Sequence, residues 1–217
     1  MHAAPQPANS RELILDTAER LFATQGFART PIKQIGREAG VNSALLYYYF
    51  ADKVQLYREV LQRFMDRLVS RTTSAATAAG PPDARLRAFL EAQAETLAGN
   101  PHFPRLLARE LVESDAAHAV EQIQRLAATG FRRLCEIIED GQRAKLFRAD
   151  LDPRFAAISC VSQIAHFFVA LPAIRVLLDA PANGPSPEVV RSFARHAADF
   201  ALSALMLPPR HVPRKRR

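Results

Sequence analysis

The sequence predicts an all-α protein, with an N-terminal three-helix helix-turn-helix head joined by a linking helix to a C-terminal helical bundle. Apolar residues recur three and four positions apart along most of the chain, which is the spacing of one helix face. Runs of alternating apolar and polar residues between turn signals, which would predict strands, are missing. Capping signals divide the chain into about nine helical segments.

The composition is that of an ordinary globular protein, with 48% hydrophobic and 24% charged residues among 217. No apolar run approaches the roughly 20 residues that cross a bilayer, and the N-terminus lacks the apolar centre of a signal peptide. We therefore expect a cytoplasmic protein without a membrane partner. The net charge of +7 is weak evidence for nucleic-acid binding, because five of the basic residues lie in residues 208–217. This tail is either a solvated end or an arm that adds phosphate contacts.

Turn and capping signals divide the chain into four parts. We expect residues 1–9 to be a disordered N-terminus and residues 10–55 to form the helix-turn-helix head. Residues 56–207 are predicted to form the helical body, and residues 208–217 the basic C-terminal tail.

The first two helices of the head are predicted from their ends. The first spans about residues 10–25 and ends at Gly26, where a left-handed conformation has little cost. The second begins with Thr30 as its N-cap and Pro31 in the first helical position, and it ends at Gly40.

The third helix follows so closely that the pair predicts a helix-turn-helix. Asn42 is its expected N-cap, and its sequence is SALLYYY. Leu46 and Phe50 lie four residues apart and are expected to join the core of the head. The opposite face of this helix would then present Ser43, Ala44 and Tyr47.

This head resembles the tetracycline-repressor (TetR) family. The resemblance lies in the run LFATQGFARTPIKQIGREAGVNSALLYYYFADKVQLYREV at residues 21–60. It implies a dimeric, ligand-responsive repressor of transcription that binds double-stranded operator DNA and responds to a small apolar or amphipathic effector. An effector-independent dimeric or architectural DNA-binding protein is the alternative. The chain departs from the family where Gly36 replaces a frequent Ala and where Ala44-Leu45 replaces a frequent Gly-Thr pair.

The resemblance also implies which side chains contact DNA. Four are expected to approach base edges, namely Lys33, Ser43, Ala44 and Tyr47. Five are expected mainly to hold phosphates, namely Thr30, Asn42, Tyr48, Tyr49 and Lys53. For Tyr47 and Tyr49 the alternative is packing beneath the helix, because a tyrosine is amphipathic.

A linking helix and the body follow the head. The linking helix begins at Asp52 and spans about residues 52–72; in the family such a helix transmits ligand binding to the heads, and the alternative is a plain connector. The body is expected to contain helices at about 83–98, 101–113, 117–145, 153–171 and 187–206.

The middle helices of the body have the composition of an effector pocket, which is also the composition of an ordinary core. A lone histidine among phenylalanines is expected to be a hydrogen-bonded core or pocket-wall residue rather than a metal ligand or catalytic base. The candidate ligand-binding residues are Phe89, Gln93, Leu97, Phe103, Leu107, Phe131, Leu134, Gln163, His166 and Phe167.

The last two long helices have more apolar residues than one face needs, which predicts a second partner. Small residues on the last helix would let another helix pack closely, so we expect a homodimer built on a four-helix interface. The candidate interface residues are Val161, Phe168, Val190, Phe193, Ala197, Ala201, Ala204 and Leu205.

Signatures of an enzyme, a metal site or a cofactor site are missing, so none of the three is expected. Cys135 and Cys160 lack metal-ligand spacing and are expected to be small buried hydrophobic residues with free thiols. Glu110 and Glu113 could form a carboxylate pair, but Arg109 favours an exposed, salt-bridged face.

Overall fold

The computed structural model describes residues 7–77, 79–100, 102–180 and 186–207. These residues form α-helices, one π-helical turn and one isolated bridge between Phe147 and Met206, which confirms the all-α prediction. The predicted basic tail lies outside the described residues. The helices are α1 Pro7–Gln25, α2 Ile32–Glu38, α3 Ser43–Tyr49, α4 Lys53–Ala76, α5 Pro82–Ala98, α6 Phe103–Glu113, α7 Val120–Leu126, α8 Arg132–Arg143, α9 Pro153–Val169, α10 Leu171–Leu177 and α11 Pro187–Leu205, with the π turn at Ala127–Phe131.

The core of the head contains the residues that the sequence predicts. Phe22 of α1, Ile35 of α2, and Leu46 and Phe50 of the α3 segment are almost completely buried. The chain leaves α1 through Gly26 at φ +85° and leaves α2 through Gly40 at φ +67°. Glycine is favoured at both turns because a side chain disfavours this left-handed region.

The start of the chain differs from the prediction in two ways. The α1 helix begins at Pro7, so the predicted disordered N-terminus extends too far. The N-cap of α2 is Pro31 rather than Thr30, and it makes no side-chain capping bond. Thr30 instead donates its hydroxyl to the carbonyl of Gly26 at 2.8 Å and is fully buried. The capping pattern therefore predicted the position of the turn correctly, but the hydroxyl bonds to the residue just after α1 and does not cap α2.

The α4 helix links the head to the body and extends four residues beyond its predicted end. It begins as predicted at Asp52, whose carboxylate accepts the amide hydrogen of Gln55 at 2.7 Å. The Gln55 side chain accepts in return from the amide of Ala51, a reciprocal arrangement that satisfies two donors at the helix start. The body is organised around α5, which packs against α4, α8, α9 and α11.

The predicted helix over residues 117–145 is interrupted. A turn precedes α7, and its residues Asp115 and Ala116 have φ values of +49° and +59°. The π turn then separates α7 from α8. Gly130 in this turn faces the side chains of Val69 and Thr72 on α4.

The predicted helix over residues 153–171 also ends early. It stops at Val169, and α10 follows at an angle of 82°. Pro172 lies in the first turn of α10, where its missing amide hydrogen leaves no bond unmade. In the described part of the chain no single helix is both long and apolar enough to cross a membrane, although α9 and α10 reach that length and composition when counted together.

Several residues of the predicted dimer face lie inside the protomer instead. Ala197, Ala201 and Leu205 are buried inside the protomer, where α11 packs on α5 and α9. Phe168 of α9 is buried as well. The small residues therefore let α5 approach α11, and they do not face a second chain. Of the other predicted interface residues, Ala204 is exposed, and three are half-buried, namely Val161, Val190 and Phe193.

Candidate nucleic-acid interface

The exposed surface of α3 presents the predicted recognition residues. Asn42 caps the helix by accepting the amide hydrogen of Leu45 at 2.8 Å. Ser43 and Ala44 are exposed in the first turn, and Tyr47 is 51% exposed one turn later. Since Leu46 is buried in the core on the opposite side, this face is turned to solvent. A short helix with small residues at its start is suited to approach base edges in a major groove.

The three consecutive tyrosines of α3 have different environments. Tyr48 is 78% exposed, and its ring meets that of Tyr49 edge-on at 5.1 Å. Tyr49 is half-buried and packs against the core. Tyr49 therefore packs partly beneath the helix, which was its alternative to phosphate contact. The side chains of Tyr47 and Tyr48 remain accessible to DNA.

Lys53 lies at the start of α4, beside the turn between α1 and α2. Its Nζ atom donates to the carbonyl of Phe27 at 2.9 Å and lies 4.3 Å from the centre of the Phe27 ring. An ammonium group has three donors, so two remain for a phosphate oxygen. Thr30 is different: its hydroxyl is buried and donates to the carbonyl of Gly26, which does not support its expected role as a phosphate contact.

Charges on α2 extend the candidate interface. Lys33 is exposed, and Arg37 is exposed one turn later on the same side. Arg37 was missed in the sequence, although its four-residue spacing from Lys33 was a usable signal. The guanidinium of Arg20 donates to Glu38 at 2.7 Å and holds the pKa of that carboxyl below its usual range. The acid on α2 is thus paired by a neighbouring helix.

The predicted effector residues lie in different environments. Gln163 lines a surface cleft of about 430 Å³ between α9 and α11. His166 is exposed, which corrects its placement in a core or pocket wall. The buried residues of this set are Phe89, Gln93, Leu97, Phe103, Leu134 and Phe167, and the half-buried ones are Leu107 and Phe131.

Gln93 is the polar member of the buried set. Its Nε2 atom donates to the carbonyl of Val161 at 3.3 Å, which fixes the orientation of the amide. Its Oε1 atom is buried and has no hydrogen-bond partner. A buried acceptor without a donor has an energetic cost, so this position favours a ligand or water that supplies one.

The two cysteines are buried free thiols, as the sequence predicts. Burial raises the pKa of Cys160 to about 11 and also raises the pKa of Cys135. Since the thiolate is the reactive form, both groups are poorly suited to nucleophilic chemistry.

Comparison with known proteins identifies relatives of both halves of the chain. The family profile of bacterial regulatory proteins of the tetR family matches residues 14–60. The profile of the tetracyclin repressor-like C-terminal domain matches residues 82–200, which is more than half of the chain.

Individual relatives agree with these profiles. The HTH-type transcriptional repressor KstR2 of Mycolicibacterium smegmatis is 28% identical over 153 residues, covering 68% of this chain and 72% of that protein. The HTH-type transcriptional repressor NicS of Pseudomonas putida is 29% identical over 166 residues, covering 76% and 78%. A bacterial regulatory protein of the tetR family from Rhodococcus RHA1 has the same fold, with a TM-score of 0.76 at 18% identity over 92% of this chain and 98% of that one.

Proposed function

Because the chain belongs to the TetR family of bacterial regulatory proteins, we propose that it represses transcription by binding operator DNA through α2 and α3. The exposed face of α3 is the observation that supports this most directly. It presents Ser43, Ala44 and Tyr47 to solvent while Leu46 holds the helix in the core. Binding of this kind takes place in the compartment that holds the chromosome, the bacterial cytoplasm.

We further propose that a small apolar or amphipathic ligand releases the protein from DNA and is bound without being chemically changed. The packed interior of the body supports this proposal, because Gln93 of α5 has a buried oxygen without a hydrogen-bond partner and the buried side chains of α5 and α9 include Phe89 and Phe167. A ligand with an apolar body and one hydrogen-bond donor fits that environment. An effector-independent DNA-binding protein is the competing function.

The test is a selection from random DNA duplexes with the purified full chain, followed by a release screen. We expect one enriched sequence with two related half-sites. The protein bound to that duplex is then challenged with a library of small molecules, read by fluorescence anisotropy of labelled DNA. A compound that lowers operator affinity must bind the free and DNA-bound states differently. No enrichment over input DNA would contradict the regulator, and enrichment without any releasing compound would favour the effector-independent alternative.

Dimerisation is proposed through the outer faces of α9 and α11. Phe155 of α9 is 69% exposed and Phe200 of α11 is 63% exposed, and both line the same cleft. Exposed aromatic residues beside each other mark an interaction surface, and two copies of an α-helical pair can bury them around a two-fold axis. A dimer would also match two operator half-sites about 34–36 Å apart.

Phe200→Asp is expected to convert the dimer to a monomer at micromolar concentration, because a charge would replace an aromatic ring at the centre of the interface. Sedimentation velocity measures the change. Val112→Asp is the matched control, since Val112 is an exposed apolar residue on α6 that does not line this cleft. A wild-type chain that sediments as a monomer, or a Phe200→Asp variant that stays dimeric, would rule out this interface.

A further inference from the structure

A buried carboxylate lies where the head meets the body. Glu110 of α6 was predicted to share an exposed, salt-bridged face with Glu113, but only Glu113 pairs with Arg109, at 3.0 Å. The side chain of Glu110 is 0% exposed. It accepts the amide hydrogen of His118 at 2.7 Å, and both of its oxygens lie 3.3 Å from Nδ1 of the same residue. The ring of Tyr57 on α4 meets the His118 ring edge-on at 5.4 Å, and its burial together with the nearby Glu110 carboxylate raises the pKa of Tyr57.

Glu110 and the two side chains beside it belong to three different segments. Glu110 is on α6, Tyr57 is on α4, and His118 is in the turn before α7. Removing a carboxylate from water is costly unless hydrogen bonds and charge replace the lost hydration. The α6 helix therefore cannot shift relative to α4 without either moving Tyr57 and His118 or leaving the carboxylate unpaired. The other charges that act on Tyr57 here are those of Arg109 and Glu113.

The aromatic partners of this carboxylate hold the turn that leads into α2. The Phe27 ring lies 4.9 Å from the Tyr57 ring and 4.6 Å from the His118 ring. The carbonyl of Phe27 is in turn bound by Lys53 at the start of α4. Gly26, next to Phe27, lies directly beneath the guanidinium of Arg109. The position of α6 is thus connected to the base of the recognition helices by direct contact.

The turn that presents His118 is held in an uncommon conformation. Asp115 and Ala116 both have positive φ values, which residues with side chains rarely adopt. The amide of Ala116 donates to the carbonyl of Glu110 at 3.0 Å, so this geometry is tied to the same residue. Backbone strain at consecutive positions persists where the surrounding contacts determine it.

We propose that Glu110 is a positioning residue that sets the angle of the DNA-binding head on the body by holding Tyr57 and His118 against Phe27. This inference rests on the proposed function and goes beyond it, because it assigns the orientation of the two heads of a dimer to one buried side chain. The assignment follows from the burial of the carboxylate, its hydrogen bonds to His118 and the packing of the His118 and Tyr57 rings on the turn before α2.

The test uses the selected operator and versions with one base pair added or removed between its half-sites. Each added base pair rotates one half-site by about 35° relative to the other. Two heads held at a fixed angle should therefore bind the operator of one spacing more tightly, by about tenfold or more, than operators of the neighbouring spacings. Glu110→Gln has one acceptor oxygen in place of two, and Tyr57→Phe removes only the hydroxyl. Both variants are expected to reduce the spacing preference to within about threefold while a duplex with a single half-site binds as before.

The control is Glu121→Gln, which changes an exposed carboxylate on α7 that pairs with Arg125 at 2.6 Å. It is expected to keep the wild-type spacing preference. If Glu110→Gln and Tyr57→Phe both keep the wild-type spacing preference, this inference is overturned and the proposed function stands. An equal loss of operator affinity at every spacing also overturns the inference, because it would indicate a merely structural role. If Glu110→Gln does not fold, Tyr57→Phe decides by the same measurement. Failure of the wild-type chain to bind any selected duplex overturns the proposed function and this inference together.

Discussion

Tyr47→Ala is expected to lower the affinity for the selected operator by about ten- to a hundredfold, because a base-edge contact is worth roughly 1–3 kcal/mol. Tyr47 is half exposed on α3 and lies outside the buried core of the head, so the substitution should leave the fold intact. Lys33→Ala, which removes an exposed charge on α2, should also weaken specific binding. Titration of fluorescent operator and of random duplex, at one fixed salt concentration, measures both effects.

The comparison between the two duplexes separates base recognition from phosphate binding. Tyr48→Ala is the matched control, since Tyr48 is the neighbouring, more exposed tyrosine and is assigned to phosphate. It should lower the affinities for operator and for random DNA by similar factors, because phosphate contacts do not depend on base sequence. If Tyr47→Ala also weakened both duplexes equally, Tyr47 would not lie at the base edges.

Gly141→Ala is expected to destabilise the protein by about 1–3 kcal/mol, the usual cost of overpacking a core. In a helix interior, alanine is ordinarily favoured over glycine by about 1 kcal/mol, so the two effects have opposite signs. Here a Cβ atom on Gly141 would lie 2.0 Å from the ring of Phe147, which is buried. The ring is held in place because the amide of Phe147 donates to the carbonyl of Gly141 at 3.0 Å. The steric effect should therefore outweigh the helix propensity.

Chemical denaturation followed by circular dichroism measures this change. Gly99→Ala is the control, because Gly99 has an ordinary helical φ of −71° and its Cβ would meet nothing closer than 3.4 Å. Gly141→Ala combined with Phe147→Ala should be less destabilising than the sum of the two single changes, since removing the ring removes the clash. A Gly141→Ala variant more stable than wild type would contradict the packing around Phe147.

The head could be predicted closely because its signals are local. Gly26, Gly40 and Asn42 each act within a few residues, and the caps and positive φ values that they predict are those observed. Thr30 shows where local reasoning fails. Its hydroxyl could cap α2 or bond to a nearby carbonyl. It bonds to the carbonyl of Gly26 because the turn between α1 and α2 brings that oxygen within 2.8 Å.

The body was less predictable because hydrophobic periodicity shows that a face is buried but does not show what buries it. Ala197 and Ala201 fit a dimer interface in sequence, yet they pack on the protomer's own helices, and Phe200 is left exposed. Glu110 fits an exposed helix face equally well, and its burial depends on Tyr57 and His118, which approach it only in the folded chain.

The sequence by itself therefore determined the helical class, the helix-turn-helix and the exposed face of α3, since these depend on spacing and capping within one or two turns of helix. Only the tertiary structure decided which side of α11 faces its own protomer and which carboxylate lies at the junction of head and body. Both depend on contacts between residues far apart in the chain, and a helical pattern does not specify such partners.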